Sequence, residues 1–312
     1  MSCLVTAITD PPHNHGQNQD SVVVQKKKTT TGKEAILAIV SDGMGEQGQA
    51  ASASVAKAFS EWFLDFCNSD KEISSEFIQK SWDTIIKKAT KRLYQKFGGD
   101  SGATIAVFLV VDQDWYMSNV GDVRVYEITE AGVKQLSTDH TYAAREVALG
   151  HMEPSEAVND PKAFYVFQSL GKTKDIISST AYGQVEPFAS YIICSSGFHH
   201  QHKMSALYRE LSPKHLDESN AESVLTSMIA ERITDEDASI VLLLSSSEKS
   251  EEQASAEEVV VADELKNIVS SEDEIEDLFS HELTEEDSEM EESDTELEQL
   301  FNKPQTEKGG QK

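Results

Sequence analysis

Two uninterrupted apolar runs, Ala35-Ile-Leu-Ala-Ile-Val40 and Ile105-Ala-Val-Phe-Leu-Val-Val111, stand on either side of two long helical patterns. Apolar runs without alternation read as strands covered on at least one face by another layer. Residues 3–9 and 21–27, the latter with Val22, Val23 and Val24, read as earlier strands. In the first helical pattern Val55, Phe59, Trp62, Phe63 and Phe66 recur at helical spacing, so one face is apolar. The second spans 74–97, carries Ile78, Trp82, Ile85, Ile86, Ala89 and Leu93 on its stripe, and ends at Gly98-Gly99, as glycine after a helix does. Strands follow at 104–111, 115–119, 124–129 and 133–136, separated by turns of hairpin length. Residues 140–175 are less regular, with a helical piece near 141–150 and an extended one at 164–170. A strand at 191–194, helices over 203–211 and 219–232, and a last strand at 239–244 complete the pattern. Strands on both sides of a helix pair predict an α+β fold with helices over mainly antiparallel strands, and their number predicts two sheets.

The pattern changes after Ser245. Residues 246–312 hold 23 acidic and 5 basic side chains, −18 of the chain's net −28. Low aromatic content and like charge predict a largely disordered acidic tail, following a domain over 1–245. Within it 263–269, 273–279 and 295–301 repeat a short apolar face. These read as a solvated tail with transient helices, or as motifs that fold on a protein partner. Neither part has the basic stripe that nucleic acid requires. Three scattered cysteines, Cys3, Cys67 and Cys194, argue against a disulfide framework and for a reducing compartment. The first ten residues lack the pattern of a signal peptide. The longest apolar run is far short of a membrane span. The expectation is a cytoplasmic protein with no membrane partner.

Carboxylates gather at predicted strand ends. Asp20 follows Asn18-Gln19, Asp42 ends the third strand, Asp122 lies in Asn119-Val-Gly-Asp-Val-Arg124, and Asp235-Glu-Asp237 precedes the last strand. Each alone is ordinary turn or cap chemistry. Converging on one rim, they would offer the oxygen ligands that Mg²⁺ or Mn²⁺ prefers. Cys194-Ser-Ser-Gly197 ends another strand with two hydroxyls and no carboxylate. The run containing His199, His200 and His202 reads as a solvated helix start rather than a metal site. Trp62, Trp82 and Trp115 read as core, and Asp139-His140 as a turn clamp.

In order along the chain, several blocks resemble those of the metal-dependent protein phosphatase 2C (PPM) family in its bacterial form. Val40-Ser-Asp-Gly-Met-Gly45 with Ala51-Ser52 is similar to its DGMGG…AS block, and Asn18-Gln-Asp20 to its N-E/Q-D. Ser101-Gly-Ala-Thr104 resembles GTT, Asn119–Arg124 resembles NVGDSR, and 136–140 resembles LTxDH. Cys194–Gly197 falls where the family has CSDG, and 235–239 where it has DN-I-T/S. The resemblance covers about residues 5 to 244. It implies a four-layer αββα sandwich of two antiparallel sheets flanked by helix pairs. It also implies a two-ion Mg²⁺/Mn²⁺ centre that hydrolyses phosphoserine or phosphothreonine with a metal-activated water. No protein nucleophile is then required, so Ser195 and Ser196 are not nucleophiles. Carried over position by position, Asp42, the Gly43 carbonyl, Asp20 and Glu236 would ligate metal, and Asp122 a third, weaker ion.

The chain also departs from that pattern. Ser196 stands where the family has a ligating Asp, and a neutral hydroxyl is a poor substitute on a hard dication. Glu236 and Asp237 stand in place of Asp and Asn, with a one-residue slip as the alternative. His15 takes the place of a phosphate-binding Arg, and cannot make its bidentate contact. Glu46 replaces a Gly and adds charge near the mouth. These losses predict a pseudophosphatase or a weakly active enzyme with two ions, one or none, meeting a phosphoprotein or protein partner through the domain rim or the acidic tail. The alternative is an active Mn²⁺/Mg²⁺-dependent phosphatase.

Overall fold

A computed structural model of the chain describes residues 3–11, 16–71, 73–157, 160–231 and 235–245, together with the backbone of 259–261. Three strands open the fold, β1 (Cys3–Asp10), β2 (Ser21–Lys28) and β3 (Glu34–Met44). Two long helices follow, α1 (Gly48–Cys67) and α2 (Ser75–Phe97). Then come β4 (Gly102–Val111), β5 (Asp114–Val120), β6 (Arg124–Thr129) and β7 (Gly132–Gln135). After α3 (Tyr142–Ala148) and α4 (Pro154–Ala157), β8 (Ser179–Gln184) and β9 (Ser190–Cys194) return to the sheets. The chain continues through α5 (Ser196–His199), α6 (Met204–Leu211) and α7 (Ala221–Ala230) to β10 (Ala238–Ser245) and β11 (Val259–Val261).

The strands form two antiparallel sheets, ordered β1-β10-β9-β6-β7 and β11-β2-β3-β4-β5-β8. The apolar runs are explained by side-chain alternation. Leu37, Ile39, Val107 and Leu109 face α1 and α2, among Phe59, Phe63 and Trp82. Ile36, Ala38, Val40 and Phe108 face the other sheet, among Tyr191, Ile193, Val241 and Leu243. Both faces of β3 and β4 are therefore buried. On the far side Ile192, Ile240 and Leu242 pack against Leu207 and Leu211 of α6 and Leu225 and Ile229 of α7. The layers thus run helix pair, sheet, sheet, helix pair, which is the αββα architecture.

Local chemistry sets the helix ends. The Ser74 hydroxyl accepts from the Phe77 N–H at 3.2 Å and caps α2. Gly98, with φ of 66°, ends α2 in the left-handed conformation. Trp82 and Trp115 are buried, and Trp62 is partly buried against Trp82. The three cysteines are free. Among the described residues, no helix is long and apolar enough to cross a membrane.

Several elements differ from the sequence expectation. β8 was not anticipated, because Ser-Thr-Ala-Tyr-Gly-Gln is an edge strand of which only the first residue is fully buried. The stretch 164–170 is not a continuous strand but makes isolated bridges at Val166 and Leu170. Within 246–312, expected to be largely disordered, Val259–Val261 pairs with β2. The three apolar repeats of that region, and His15, lie outside the described residues.

Candidate functional site

One end of the sandwich collects the starts of β2, β4, β6 and β10 and the ends of β3, β5 and β9. Backbone hydrogen bonds fix how the chain reaches it. The Gly43 N–H donates to the Gln19 carbonyl at 3.2 Å, and the Ser52 hydroxyl donates to the same carbonyl at 2.6 Å. A β-carbon at Gly43 would overlap the backbone of Gly48 and Gln19, so only glycine lets these two segments meet. Asp20 and Asp42 are thereby held side by side.

Asp42, Glu236 and Asp237 line a cavity of about 430 Å³ together with Gln19, Gly43 and Ser196, and Asp20 is buried beside Asp42. Asp42 Oδ2 accepts from the Ser196 hydroxyl at 2.8 Å. Asp20 Oδ2 accepts from the Ser239 hydroxyl at 2.7 Å, while its Oδ1 is buried with no hydrogen-bond partner. Asp237 Oδ2 accepts from the Gln19 N–H at 2.9 Å. Ser195 ties the end of β9 to β10, its hydroxyl accepting from the Ser239 N–H at 2.9 Å.

Charge crowding is the dominant electrostatic feature. Burial, then the neighbouring Asp42, pushes the Asp20 carboxyl well above its ordinary range. Burial raises Asp42 to about 6; the Ser196 hydrogen bond opposes this and the Asp237 charge adds to it. Burial, with Asp42 and Asp139, raises Asp122 to about 8. Carboxylates crowded in this way are relieved by a cation. The all-oxygen donor set around the orphaned Asp20 Oδ1 fits a hard divalent ion. The Ser196 hydroxyl already occupies one Asp42 oxygen.

Glu236 lines the cavity with Asp42 but also turns towards His200. Glu236 Oε2 lies 3.5 Å from His200 Nδ1, and that imidazole holds its carboxyl below the ordinary range. Asp237, rather than Glu236, is the carboxylate of this turn that acts on both Asp20 and Asp42. Glu46 is exposed in the turn before α1 and does not line the cavity.

Asp122 sits beside the carboxylate cluster on the turn between β5 and β6. Gly121 there has φ of 93°, a conformation suited to glycine. Its N–H donates to His140 Nδ1 at 3.1 Å. Burial depresses the His140 pKa to about 4, which keeps that nitrogen an acceptor. Arg124 reaches Asp139 through Nε and a terminal guanidinium nitrogen, the latter at 2.6 Å. The Asp139-His140 pair thus clamps the turn that carries Asp122.

The histidine run corrects the sequence expectation. His199 is buried at 5% exposure rather than solvated, because α5 packs its side chain against the Asp122 turn. Its Nε2–H donates to the Asp122 carbonyl at 2.9 Å. Sequence reasoning missed this neighbourhood. The available signal was position alone, since 199 and 200 lie one helical turn beyond the strand end at Cys194.

Comparison with known proteins agrees with the architecture. The family model described as Protein phosphatase 2C matches residues 13–198. The serine/threonine phosphatase Stp of Listeria innocua is 23% identical over 190 residues, covering 59% of this chain and 72% of that protein. The solved serine/threonine phosphatase of S. agalactiae superposes with a TM-score of 0.67 at 19% identity, covering 78% of this chain and all of that one. The catalytic domain of the phosphatase PstP, solved in complex with two manganese ions, gives 0.59 at 18% identity, covering 78% and 97%. At those identities the solved structures establish the fold. A family match across more than half of the chain, on a sandwich with its carboxylates at one end, establishes the lineage: the chain belongs to the protein phosphatase 2C family, in its bacterial PPM-type form.

Proposed function

We propose that this protein is a phosphatase-like member of the family whose hydrolysis of phosphoserine and phosphothreonine is weak or absent. The observation that carries this reading is the Ser196–Asp42 hydrogen bond. A second carboxylate at position 196 would need a cation to offset its repulsion of Asp42, whereas a hydroxyl satisfies Asp42 directly. The cluster therefore has less need of an ion.

Asp20, Asp42, the Gly43 carbonyl and Asp237 would hold one Mg²⁺ or Mn²⁺. Such an ion supplies an acidified water and neutralises phosphoryl charge. Glu236, on the same cavity, is its reserve carboxylate. The manganese in the PstP structure supports this choice of ion. The cavity rim then serves chiefly to bind a phosphoprotein, with the acidic tail as a second contact for a protein partner, in the cytoplasm. An active Mn²⁺/Mg²⁺-dependent phosphatase is the second reading, and Asp237 favours it by supplying a third carboxylate to Asp20 and Asp42.

The test is hydrolysis of a phosphothreonine peptide in millimolar Mn²⁺. Wild-type turnover should be barely above background and rise at least tenfold in Ser196→Asp. Robust wild-type turnover that is lost in Asp42→Ala and unchanged in Ser196→Asp would contradict the proposal.

A further inference from the structure

Beside the carboxylate cluster lies a second group of donors with different chemistry. One nitrogen each of His199 and His200 and one carboxylate oxygen of Asp122 lie within 4.8 Å of one another. We propose that Asp122, His199 and His200 bind a divalent ion of the zinc, cobalt and nickel class. This site does not depend on the reading of Asp20 and Asp42.

The imidazoles are set up as ligands. A carbonyl only accepts, so the contact between His199 and the Asp122 carbonyl places the proton on Nε2. The Nδ1 lone pair of the neutral ring is then left over, and this atom is buried without a hydrogen-bond partner. His200 has the complementary arrangement: Nδ1 faces Glu236 at 3.5 Å, and Nε2 is buried without a partner. Metal-binding histidines characteristically hand their other nitrogen to a carbonyl or carboxylate, which fixes the ring and its tautomer. Here one ring uses a carbonyl and the other a carboxylate.

Two buried nitrogen atoms without partners are costly in a folded protein, and an ion would satisfy both. The donor types choose the ion. Two imidazoles and one carboxylate suit zinc and its neighbours, while magnesium prefers oxygen. Three protein ligands would leave a fourth position for water. Glu236, which faces His200 Nδ1, also lines the neighbouring cavity, and the Phe164 ring lies with its centroid 4.0 Å from that of His200.

The experiment is titration of the chelator-stripped full chain with Co²⁺, followed by calorimetry and by visible absorption. Nitrogen-ligated cobalt of low coordination absorbs more strongly than the hydrated ion. One equivalent should bind with that absorption in 10 mM Mg²⁺. His200→Ala and Asp122→Asn should each weaken binding about tenfold to a hundredfold, and Asp42→Asn should retain it. His200 is chosen over the more buried His199 because its replacement is less disruptive, and circular dichroism of each variant checks the fold. Equal Co²⁺ affinity in wild type and folded His200→Ala would overturn the proposal. So would loss of the signal in Asp42→Asn alone, or no binding by the wild type. If His200→Ala does not fold, His200→Gln decides by the same criteria.

Discussion

Ser196 donates a 2.8 Å hydrogen bond to Asp42, joining the end of β9 to the end of β3 across the two sheets. The contact lowers the proton affinity of a carboxyl that burial and Asp237 raise. A crowded acidic rim is thus made tolerable by a hydroxyl, where a charged residue would require an ion. Ser239 does the same for Asp20 from the start of β10. Both serines come from the β1-β10-β9-β6-β7 sheet and both aspartates from the other.

Asp122→Asn should stabilise the chelator-treated protein increasingly as pH rises. The folded chain holds the Asp122 proton up to about pH 8, against an ordinary 3.8. Stability tied to that proton is complete below about pH 4 and is lost as pH climbs through 8. The melting-temperature advantage of the variant should therefore grow between pH 5 and pH 9. A difference that does not change with pH would mean that Asp122 is not desolvated as described.

Asp139→Ala should cost about 3–5 kcal/mol in urea denaturation, because it strands a largely buried arginine. Arg124 reaches Asp139 through two nitrogens and Tyr126 through a third. Asp139 also accepts from Gln135 at 2.8 Å. A cost below about 1 kcal/mol, the value of a surface pair, would remove the clamp from the account.

Gly197→Ala should displace the turn before β10 and cost more than about 1 kcal/mol, as overpacking does. A β-carbon there would overlap the Asp237 carbonyl oxygen. Movement of that turn carries Asp237 away from Asp20 and Asp42, so Mn²⁺ affinity should fall together with stability. Unchanged stability and metal binding would place residue 197 and the turn farther apart than described.

Much of the fold was legible because burial on both faces leaves a plain mark. β3 and β4 show as apolar runs, and α2 shows through its stripe, its Ser74 cap and Gly98. The edge strand β8 was not legible, since exposed positions accept polar residues and glycine. At the site, the rim residues Asp20, Asp42 and Asp122 could be picked out as strand-end carboxylates. The division of labour between Glu236 and Asp237 could not, because it depends on the path of one turn and on His200 nearby. His199 was misread because a histidine run looks polar in sequence, while its burial comes from the short helix α5.

The central claim is that the hydroxyl at position 196 weakens the ion site at Asp42. Calorimetric titration of Mn²⁺ into the stripped wild-type chain and into Ser196→Asp tests it most directly. The account predicts binding at least tenfold tighter in the variant, with the gain abolished when Asp42→Asn is added. Equal Mn²⁺ affinity in wild type and Ser196→Asp would contradict it.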